Sequence, residues 1–532
     1  MKTVQQYGVT EWAYASGKAY RDPFNEIELD LIVTDPKGQE RRVPAFWAGE
    51  QTWRVRYSSS ELGLHRYRTC CSDAANPDLH GLEGELLVTA YQGSNPLLRH
   101  GPIVVSASRR HLQHRDGTPF FWLGDTWWMG LCQRLSWPTG FQALTADRVA
   151  KGFTVVQIVA GLYPDMPWRD ERGANEAGFP WERDFARINP VYFDMADARI
   201  GWLADRGLAP CIVGCWGYFL PWMGIAKMKQ HWRYLVARYG AYPVVWCLAG
   251  EGHMPYYLSE DKEGDSAFQR RGWTELGRYL HAIDPYDRLV TIHPSNSARQ
   301  VVEDQGILDL DMLQTGHGDR RSLPRTLKWV TEDYAAEPRM PMLNSEVCYE
   351  GIGEACRQEV QRLMFWACVL SGAAGHTYGA NGIWQVNSRE QPYGPSPHGM
   401  SWGHTPWEEA CQLPGSGQLG LAKRLLERFE WWRFEPHPEW IEPHWTTEDY
   451  LLPYAAGIPG EVRVAYIPLG KWPFTVQSIE PGAHYHAYLF NPVDGSEVEI
   501  GRVEPDDDGN WLLPLPRMPI YQDWVLVLQR ES

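Results

Sequence analysis

Two glutamates, Glu251 and Glu346, each end a predicted strand, and two carboxylates placed in this way can do acid–base and nucleophilic chemistry. Residues 242–253 read YPVVWCLAGEGH, and residues 341–347 read PMLNSEV. The first contains a short apolar run bounded by Pro243 and Gly250, which favours a strand that is buried on both faces. One protonated and one ionised carboxyl suit glycoside hydrolysis, in which a leaving oxygen is protonated while an oxocarbenium-like centre is attacked or stabilised. Each acid could instead be a structural carboxylate at a strand end.

The elements that would position these acids alternate between strand and helix from residue 101 to residue 440. A clear helix is predicted between Asn189, which can cap it, and Gly207, which stops it, and a last helix is predicted over 419–432. The predicted strands cover 120–125, 153–160, 209–216, 244–248, 288–293, 308–315, 341–347 and 375–379. Eight such strands predict an α/β fold, the closed (β/α)8 TIM barrel, in which all carboxyl ends face one mouth. Asp125, Glu251, His317 and Glu346 should therefore converge there.

Both ends of the chain have a different pattern. Residues 1–100 alternate apolar and polar positions around turns such as 35–38, which predicts an N-terminal β-sandwich accessory domain. Residues 441–532 return to this pattern, with a hairpin turn at Asp494-Gly495, and predict a C-terminal β-sandwich domain. The predicted division is therefore 1–100, 101–440 for the barrel, and 441–532.

Composition narrows the class of function. The 532 residues carry a net charge of -16, which argues against a nucleic-acid partner, and contain no apolar run long enough to cross a membrane. Ten scattered cysteines and a start without a secretion signal predict a cytoplasmic protein. The 27 Trp and 26 Tyr residues suggest a carbohydrate partner, because aromatic faces stack on sugar rings, although large apolar cores also use them.

Other possible sites have weaker signals. Gly415, Gly417 and Gly420 spell G-x-G-x-x-G, but no predicted strand enters them, so a dinucleotide site is not expected. His253, His293, His317 and His376 would lie near the barrel mouth, yet H-E-x-x-H and tight ligand spacing are lacking. The sequence therefore predicts no metal and no cofactor.

The motif RDGTPFFWLGDTWW at residues 115–128 resembles the opening of the apiosidase-like glycoside hydrolases. The blocks at 152–157, 192–194, 246–251 and 344–346 follow in the order found in that family, and both flanking regions resemble its usual β domains. The resemblance implies a retaining (β/α)8 glycosidase with Glu251 as acid/base on strand four and Glu346 as nucleophile on strand seven. Related enzymes commonly have Asn before the acid/base, where this chain has Gly250, so Asp125, His253 and His317 become candidates for the contact with the 2-hydroxyl of the sugar.

The resulting hypothesis is a retaining, exo-acting glycosidase for a short oligosaccharide or small glycoside, with a pentofuranoside among the candidate substrates. The predicted sugar-binding residues are Asp125, Trp127, Trp128, Trp216, His253, His317 and Tyr378. Two alternatives stay open at this stage: a non-catalytic carbohydrate-binding protein on a barrel scaffold, and a metal-dependent barrel hydrolase. The sequence is also compatible with a homo-oligomer.

Overall fold

Eight parallel strands form the centre of the protein in a computed structural model that describes residues 1–470, 473–514 and 521–531. They are β1 (Trp122–Thr126), β2 (Val155–Val159), β3 (Ala209–Val213), β4 (Val245–Cys247), β5 (Val290–Thr291), β6 (Asp311–Gln314), β7 (Met342–Glu346) and β8 (Gly375–Tyr378). Their order in the sheet is β5-β4-β3-β2-β1-β8-β7-β6, with every ladder parallel. Sequence neighbours are thus neighbours in space, as a barrel requires.

The remaining seam, between β5 and β6, is closed by individual hydrogen bonds. The Asp309 N–H donates to the Val290 carbonyl at 2.8 Å, and the Asp309 carboxylate accepts from the Val290 N–H at 2.9 Å. The Thr291 hydroxyl donates to the Leu310 carbonyl at 2.7 Å. Two side chains and one backbone bond therefore close the barrel between β5 and β6, which form no regular ladder with each other.

One helix follows each strand. The series is α1 (Thr139–Ala150), α2 (Pro190–Asp205), α3 (Phe219–Tyr239), α4 (Lys262–Ile283), α5 (Ala298–Val301), α6 (Leu323–Ala335), α7 (Gln358–Val369) and α8 (Pro414–Leu426). Asn189 caps α2 by accepting from the Val191 N–H, and Gly207 follows with a φ of +79°. Shorter helical turns lie at Pro23–Glu26, Pro96–Arg99, Glu171–Gly173, Arg183–Phe185, Gln305–Ile307, Asp319–Ser322, Ile352–Glu354, Trp407–Ala410, Trp431–Arg433 and Pro438–Trp440.

The predicted (β/α)8 class is confirmed, and the element boundaries need correction. The last helix begins at Pro414 and ends at Leu426, so the prediction of 419–432 was shifted toward the C-terminus. This helix contains the three glycines of the G-x-G-x-x-G pattern. A Cβ at Gly420 would lie 1.9 Å from the Lys151 carbonyl oxygen. Close packing of α8 against Lys151, the residue that follows α1, therefore explains why position 420 is a glycine.

Two antiparallel-rich sheets precede the barrel. The larger contains Lys2–Gln5, Glu83–Thr89, Gly63–Cys71, Leu29–Thr34 and Glu40–Pro44, and the smaller contains Thr10–Ala15, Thr52–Tyr57 and Phe46–Gly49. They share one apolar core, as expected for a sandwich. Arg56 ties this unit to the barrel by donating to the Arg238 carbonyl at 2.8 Å, and its own carbonyl accepts from the Tyr286 hydroxyl. A small sheet of Ile103–Val105, Leu112–His114 and Pro119–Phe120 leads into β1.

Two further sheets follow the barrel. The six-stranded one contains Glu435–Pro436, Tyr454–Ile458, Val462–Ile467, Trp524–Arg530, Tyr485–Phe490 and Glu497–Arg502, and the other contains Ile441–Glu442, Thr475–Val476 and Trp511–Leu512. Arg362 on α7 holds this unit through two bonds of 2.7 Å to the Asp523 carboxylate. The domain limits at residues 100 and 440 remain a prediction.

Among the described residues, no helix combines the length and the apolar composition needed to cross a bilayer.

Candidate active site

Glu251 and Glu346 lie at the carboxyl-terminal mouth of the barrel. Glu346 is the last residue of β7, and Glu251 follows β4 by four residues. Glu251 has a φ of +43°, a conformation rare for a residue with a long side chain. Such a backbone is stable only where its surroundings fix it, and it occurs most often at functional sites.

Gln314, the last residue of β6, joins the two carboxylates. Its Nε2 lies 3.1 Å from Glu251 Oε1 and 3.0 Å from Glu346 Oε1. Because both acceptor oxygens lie about 3 Å from the same nitrogen, they cannot be more than about 6 Å apart. One amide therefore limits the separation of the two acids.

Two histidines surround Glu346. His317 Nε2 is 2.9 Å from Glu346 Oε1, and His293 Nε2 is 3.3 Å from Oε2. Burial would raise the pKa of the Glu346 carboxyl, but the two imidazoles outweigh it and hold that pKa well below its usual range. The same contact with Glu346 raises the pKa of His317 although burial opposes the rise. Glu346 is therefore ionised at neutral pH.

Glu251 has the opposite electrostatics. Burial, and next the negative charge of Glu346, raise the pKa of Glu251 to about 7, although the Gln314 amide and the Trp216 indole oppose the rise. Half of the molecules thus carry a proton on Glu251 near neutral pH. A protonated acid beside an ionised one is the division of roles that two-carboxylate catalysis uses.

A cavity of about 190 Å³ opens over these two acids. Its walls are mostly aromatic, and none of the described residues that line it is Lys or Arg. The lining consists of Trp128, Pro164, Asp165, Trp216, Glu251, Met254, Tyr257, Gln314, His317, Glu346, Tyr349, Ile352, Trp384, His398 and Trp402. The described residues contain no group of three or more His, Cys, Asp or Glu side chains arranged to hold a metal ion.

Gly250 is required by the indole of Trp216. A Cβ at Gly250 would lie 2.2 Å from Trp216 Cε3, far inside van der Waals contact. Trp216 Nε1 donates to Glu251 Oε2 at 3.2 Å, and its ring packs edge-on against Trp128 with centroids 5.5 Å apart. The space that an Asn side chain would need before Glu251 is therefore filled by Trp216, which follows β3.

Gly250→Ala is expected to push the Trp216 ring away from Glu251, because the new methyl group and the ring cannot share that space. We expect a loss of about 1–3 kcal/mol in the free energy of unfolding from overpacking. The pKa of Glu251 should rise further, since the indole N–H that opposes the rise is lost. Urea unfolding and the basic limb of the pH–rate profile measure the two effects. Gly417→Ala, at a position with no atom within 4 Å of the added Cβ, is the matched control. An unchanged pH limb in Gly250→Ala would contradict the expected ring displacement.

Five of the predicted site residues line the cavity and four lie elsewhere. Trp128, Trp216, Glu251, His317 and Glu346 are in the wall. Asp125 and Trp127 are fully buried behind it, where the Asp125 carboxylate accepts from Trp127 Nε1 at 2.7 Å and from Arg148. The Tyr378 hydroxyl donates to Glu350 below the mouth. His253 follows Glu251 but does not line the cavity.

The placement of these four residues corrects the predicted sugar contacts. A strand-end position brings a side chain to the mouth, but alternate residues of a strand point to opposite sides. Asp125 and Tyr378 therefore face the helix layer, where Arg148 of α1 lies 5.7 Å from the Tyr378 ring. Their role is structural, because their contacts with Arg148 hold β1 and β8 against α1.

Asp125→Asn is expected to destabilise the fold by up to about 3–5 kcal/mol, because it removes the fully buried partner of Arg148 and leaves that charge with Asp147 as its carboxylate partner. Thermal and urea unfolding measure the change. Asp304→Asn, which breaks an exposed pair with Arg278, is the control and should leave the unfolding midpoint unchanged. If Asp125→Asn kept the wild-type unfolding midpoint and lost only activity, the assignment of a structural role to Asp125 would be wrong.

Several cavity residues were missed from the sequence. Gln314 is the last residue of β6 and the last but one of the predicted strand 308–315, so the strand-end argument that selected the glutamates could have found it. Asp165, Tyr257, His398 and Trp402 lie in long irregular connections, where no periodic pattern predicts position.

The comparisons with known proteins fit this geometry. Residues 106–433 match the family model described as "Apiosidase-like, catalytic domain". The chain belongs to the apiosidase-like family. Residues 3–72 of this apiosidase-like protein also match a domain of unknown function, DUF5060. No match was found among curated proteins.

Solved structures show the same fold. A structure titled "Glycoside hydrolase" is 24% identical, with 82% of this chain and 98% of that chain covered and a TM-score of 0.68. A glycoside hydrolase family 5 structure from Bacteroides vulgatus is 24% identical, covering 82% and 95%, with a TM-score of 0.68. A putative glycoside hydrolase from the same organism is 17% identical over 100% of both chains, with a TM-score of 0.70.

Family membership establishes the class of activity. The apiosidase-like protein is a glycoside hydrolase, and its substrate is a carbohydrate. This confirms the resemblance found in the 115–128 motif and the prediction of an enzyme.

Proposed function

We propose that the protein is a retaining exo-glycosidase that removes one terminal sugar from a short glycoside. Glu346 is the nucleophile and Glu251 is the acid/base. The observation that carries this proposal is the Gln314 amide, which is bonded to both acids. The upper limit of about 6 Å that follows from it allows the roughly 5–5.5 Å of retaining enzymes and is below the roughly 6.5–9.5 Å that inverting enzymes need to fit a water molecule.

In the first step, an oxygen of ionised Glu346 bonds to the anomeric carbon while the bond from that carbon to the leaving oxygen breaks. Glu251 donates its proton to the leaving oxygen, and a glycosyl ester on Glu346 results. His293 and His317 keep Glu346 ionised before the attack. Gln314 holds Glu346 Oε1 in place by donating a hydrogen bond to it.

In the second step, Glu251 is ionised and accepts a proton from water, whose oxygen bonds to the anomeric carbon. The ester bond to Glu346 breaks, and both carboxyls return to their starting states. The loss of the Glu346 charge in the ester lowers the pKa of Glu251, because that charge is one cause of the raised value. The same residue can thus act first as an acid and then as a base.

The size of the cavity supports an exo mode and a small glycone. Its volume of about 190 Å³ is below the roughly 300–1,000 Å³ of sites for drug-sized ligands, so it suits one sugar ring. Trp128, Trp216 and Trp384 supply flat faces for that ring. A pentofuranoside is within the proposed range.

A panel of aryl furanosides and pyranosides tests the proposal. We expect hydrolysis of at least one member, release of a single sugar, and a first product whose anomeric configuration by proton NMR is that of the substrate. Activity should survive treatment with a chelator. Inversion at the anomeric carbon, or release of oligosaccharides from internal bonds, would contradict the proposed mechanism or mode.

A further inference from the structure

Asp165 is a third carboxylate in the catalytic cavity, and the two-glutamate mechanism does not use it. It lies in the connection after β2 and lines the cavity with Glu251 and Glu346. Asp165 is only 7% exposed to solvent, and its backbone φ angle is +55°. The Tyr393 hydroxyl lies 3.4 Å from the Pro164 carbonyl and 3.5 Å from that of Asp165, so the turn is held from the β8 connection.

The carboxylate of Asp165 is surrounded by hydrogen-bond donors, and Arg172 lies close enough to attract it without lining the cavity. Trp402 Nε1 donates to Asp165 Oδ2 at 3.1 Å. Burial raises the pKa of Asp165, while Tyr257, His398 and Trp402 oppose that rise. The Tyr257 and His398 rings lie against each other with centroids 4.5 Å apart, so two further connections meet at this carboxylate.

A purely structural role explains little of this arrangement. An asparagine oxygen could also accept the Trp402 N–H, and it would avoid the cost of a buried negative charge. An ionised carboxylate has about four acceptor sites, of which the Trp402 indole and the Tyr257 hydroxyl use two. The remaining sites suit hydroxyl donors, and a pair of adjacent sugar hydroxyls can occupy both oxygens.

The charges of the whole cavity restrict what those hydroxyls belong to. The lining contains three acids, and none of its described residues is Lys or Arg. A uronic acid would bring a fourth carboxylate into a small cavity in which the described lining has no Lys or Arg and His317 is already paired with Glu346. We propose that Asp165 binds adjacent hydroxyls of a neutral sugar ring and sets the specificity of the site against uronic acids. This inference rests on the proposed glycosidase function.

The test compares Asp165→Asn with the wild type on the aryl glycoside that the wild type cleaves best. The substitution keeps an acceptor for Trp402 but removes the charge. We expect kcat/KM to fall about 10–100-fold, mainly through KM, which corresponds to loss of charge-assisted hydrogen bonds. With deoxy analogues of that substrate, the difference between the two proteins should shrink to less than about threefold for the hydroxyl that Asp165 contacts. The ratio of activity on the neutral glycoside to activity on the corresponding uronide should fall by about tenfold.

The control is Glu171→Gln, an exposed acid in the same connection that does not line the cavity. It should keep wild-type constants. Thermal unfolding identifies a misfolded Asp165→Asn protein, and Asp165→Glu then replaces it, with a shifted preference among the deoxy analogues expected. Unchanged KM and an unchanged neutral-to-uronide ratio in the folded variant would overturn the proposal.

Failure of the glycosidase proposal can be told apart from failure of this one. If the wild type cleaves no member of the panel, tryptophan fluorescence is titrated with neutral monosaccharides and with glucuronate and galacturonate. Trp128, Trp216, Trp384 and Trp402 all line the cavity and report on ligand binding. Saturable binding of a neutral sugar that weakens in Asp165→Asn supports the role of Asp165. Equal or tighter binding of the uronates by the wild type rejects it.

Discussion

Glu346→Gln is expected to lower kcat on an aryl glycoside by at least about 10⁴-fold, because the amide cannot form the glycosyl ester. The protein should remain folded, since Gln keeps the shape of Glu and can accept from Gln314 and His317. The pKa of His317 should fall, because contact with the Glu346 carboxylate is what raises it. Steady-state kinetics measure the first effect, and NMR titration of the histidine the second.

Chemical rescue separates a nucleophile from a residue that only supports the site. With Glu346→Ala and an activated aryl glycoside, azide should restore turnover and give a glycosyl azide of inverted configuration, because azide enters from the face that Glu346 occupied. Glu354→Gln, in the connection that follows β7 and exposed to solvent, is the matched control and should behave as the wild type. Retention of more than about a tenth of the activity by Glu346→Ala would remove Glu346 from the role of nucleophile.

Strand-end position was the informative signal in the sequence. Each glutamate ends a predicted strand, and the barrel topology then brings the ends of β4 and β7 to the same mouth whatever lies between them. This logic requires only the count of strands and the location of their last residues. It placed Glu251 and Glu346 at one mouth without any knowledge of side-chain contacts, and both line the cavity.

The same logic could not tell which way each side chain points. Asp125 and Glu346 both lie at strand ends, yet one pairs with Arg148 in the helix layer and the other faces the cavity. The partner that decides this, Arg148, is contributed by a helix with no distinctive motif. Likewise, the sequence shows Gly250 only as the glycine that ends an apolar run, whereas in the structure the Trp216 ring occupies the space beside it. Such choices depend on packing between segments far apart in the chain.

The long connections between strands and helices were the other part of the site that the sequence could not predict. The residues 388–406 have no helix or strand, yet they deliver His398 and Trp402 to the cavity wall. Arg172 holds this connection by donating to the Tyr393 and Pro395 carbonyls at 3.0 and 3.2 Å. Arg134 also donates to the Gln391 carbonyl, so side chains from distant segments position a connection that has no periodic pattern of its own.

Glu251→Gln is expected to affect substrates according to their leaving groups. For a glycoside with a poor leaving group, kcat/KM should fall about 10²–10⁴-fold, since protonation of the leaving oxygen is lost. For a dinitrophenyl glycoside the fall should be less than about tenfold, because that leaving group departs without a proton. Deglycosylation then becomes slow, and the glycosyl ester on Glu346 should accumulate and be visible by mass spectrometry of the intact protein. A plot of log(kcat/KM) against the pKa of the leaving group measures the difference in slope.

The pH dependence tests the same role with an independent sign. Glu251 acts in its protonated form, and its pKa is raised to about 7, so wild-type kcat/KM on a poor leaving group should decrease as pH rises through about 7. Glu346 acts ionised and its pKa lies well below its usual range, so it imposes no loss between pH 5 and 7. Because folding favours the protonated form of Glu251, the stability that this group contributes is lost between its unfolded pKa near 4.5 and about 7. Glu251→Gln should therefore remove the basic limb of activity and unfold at a higher temperature than the wild type at pH 8, with little difference at pH 4. A basic limb that persists in this variant on a poor leaving group would assign the proton to another residue.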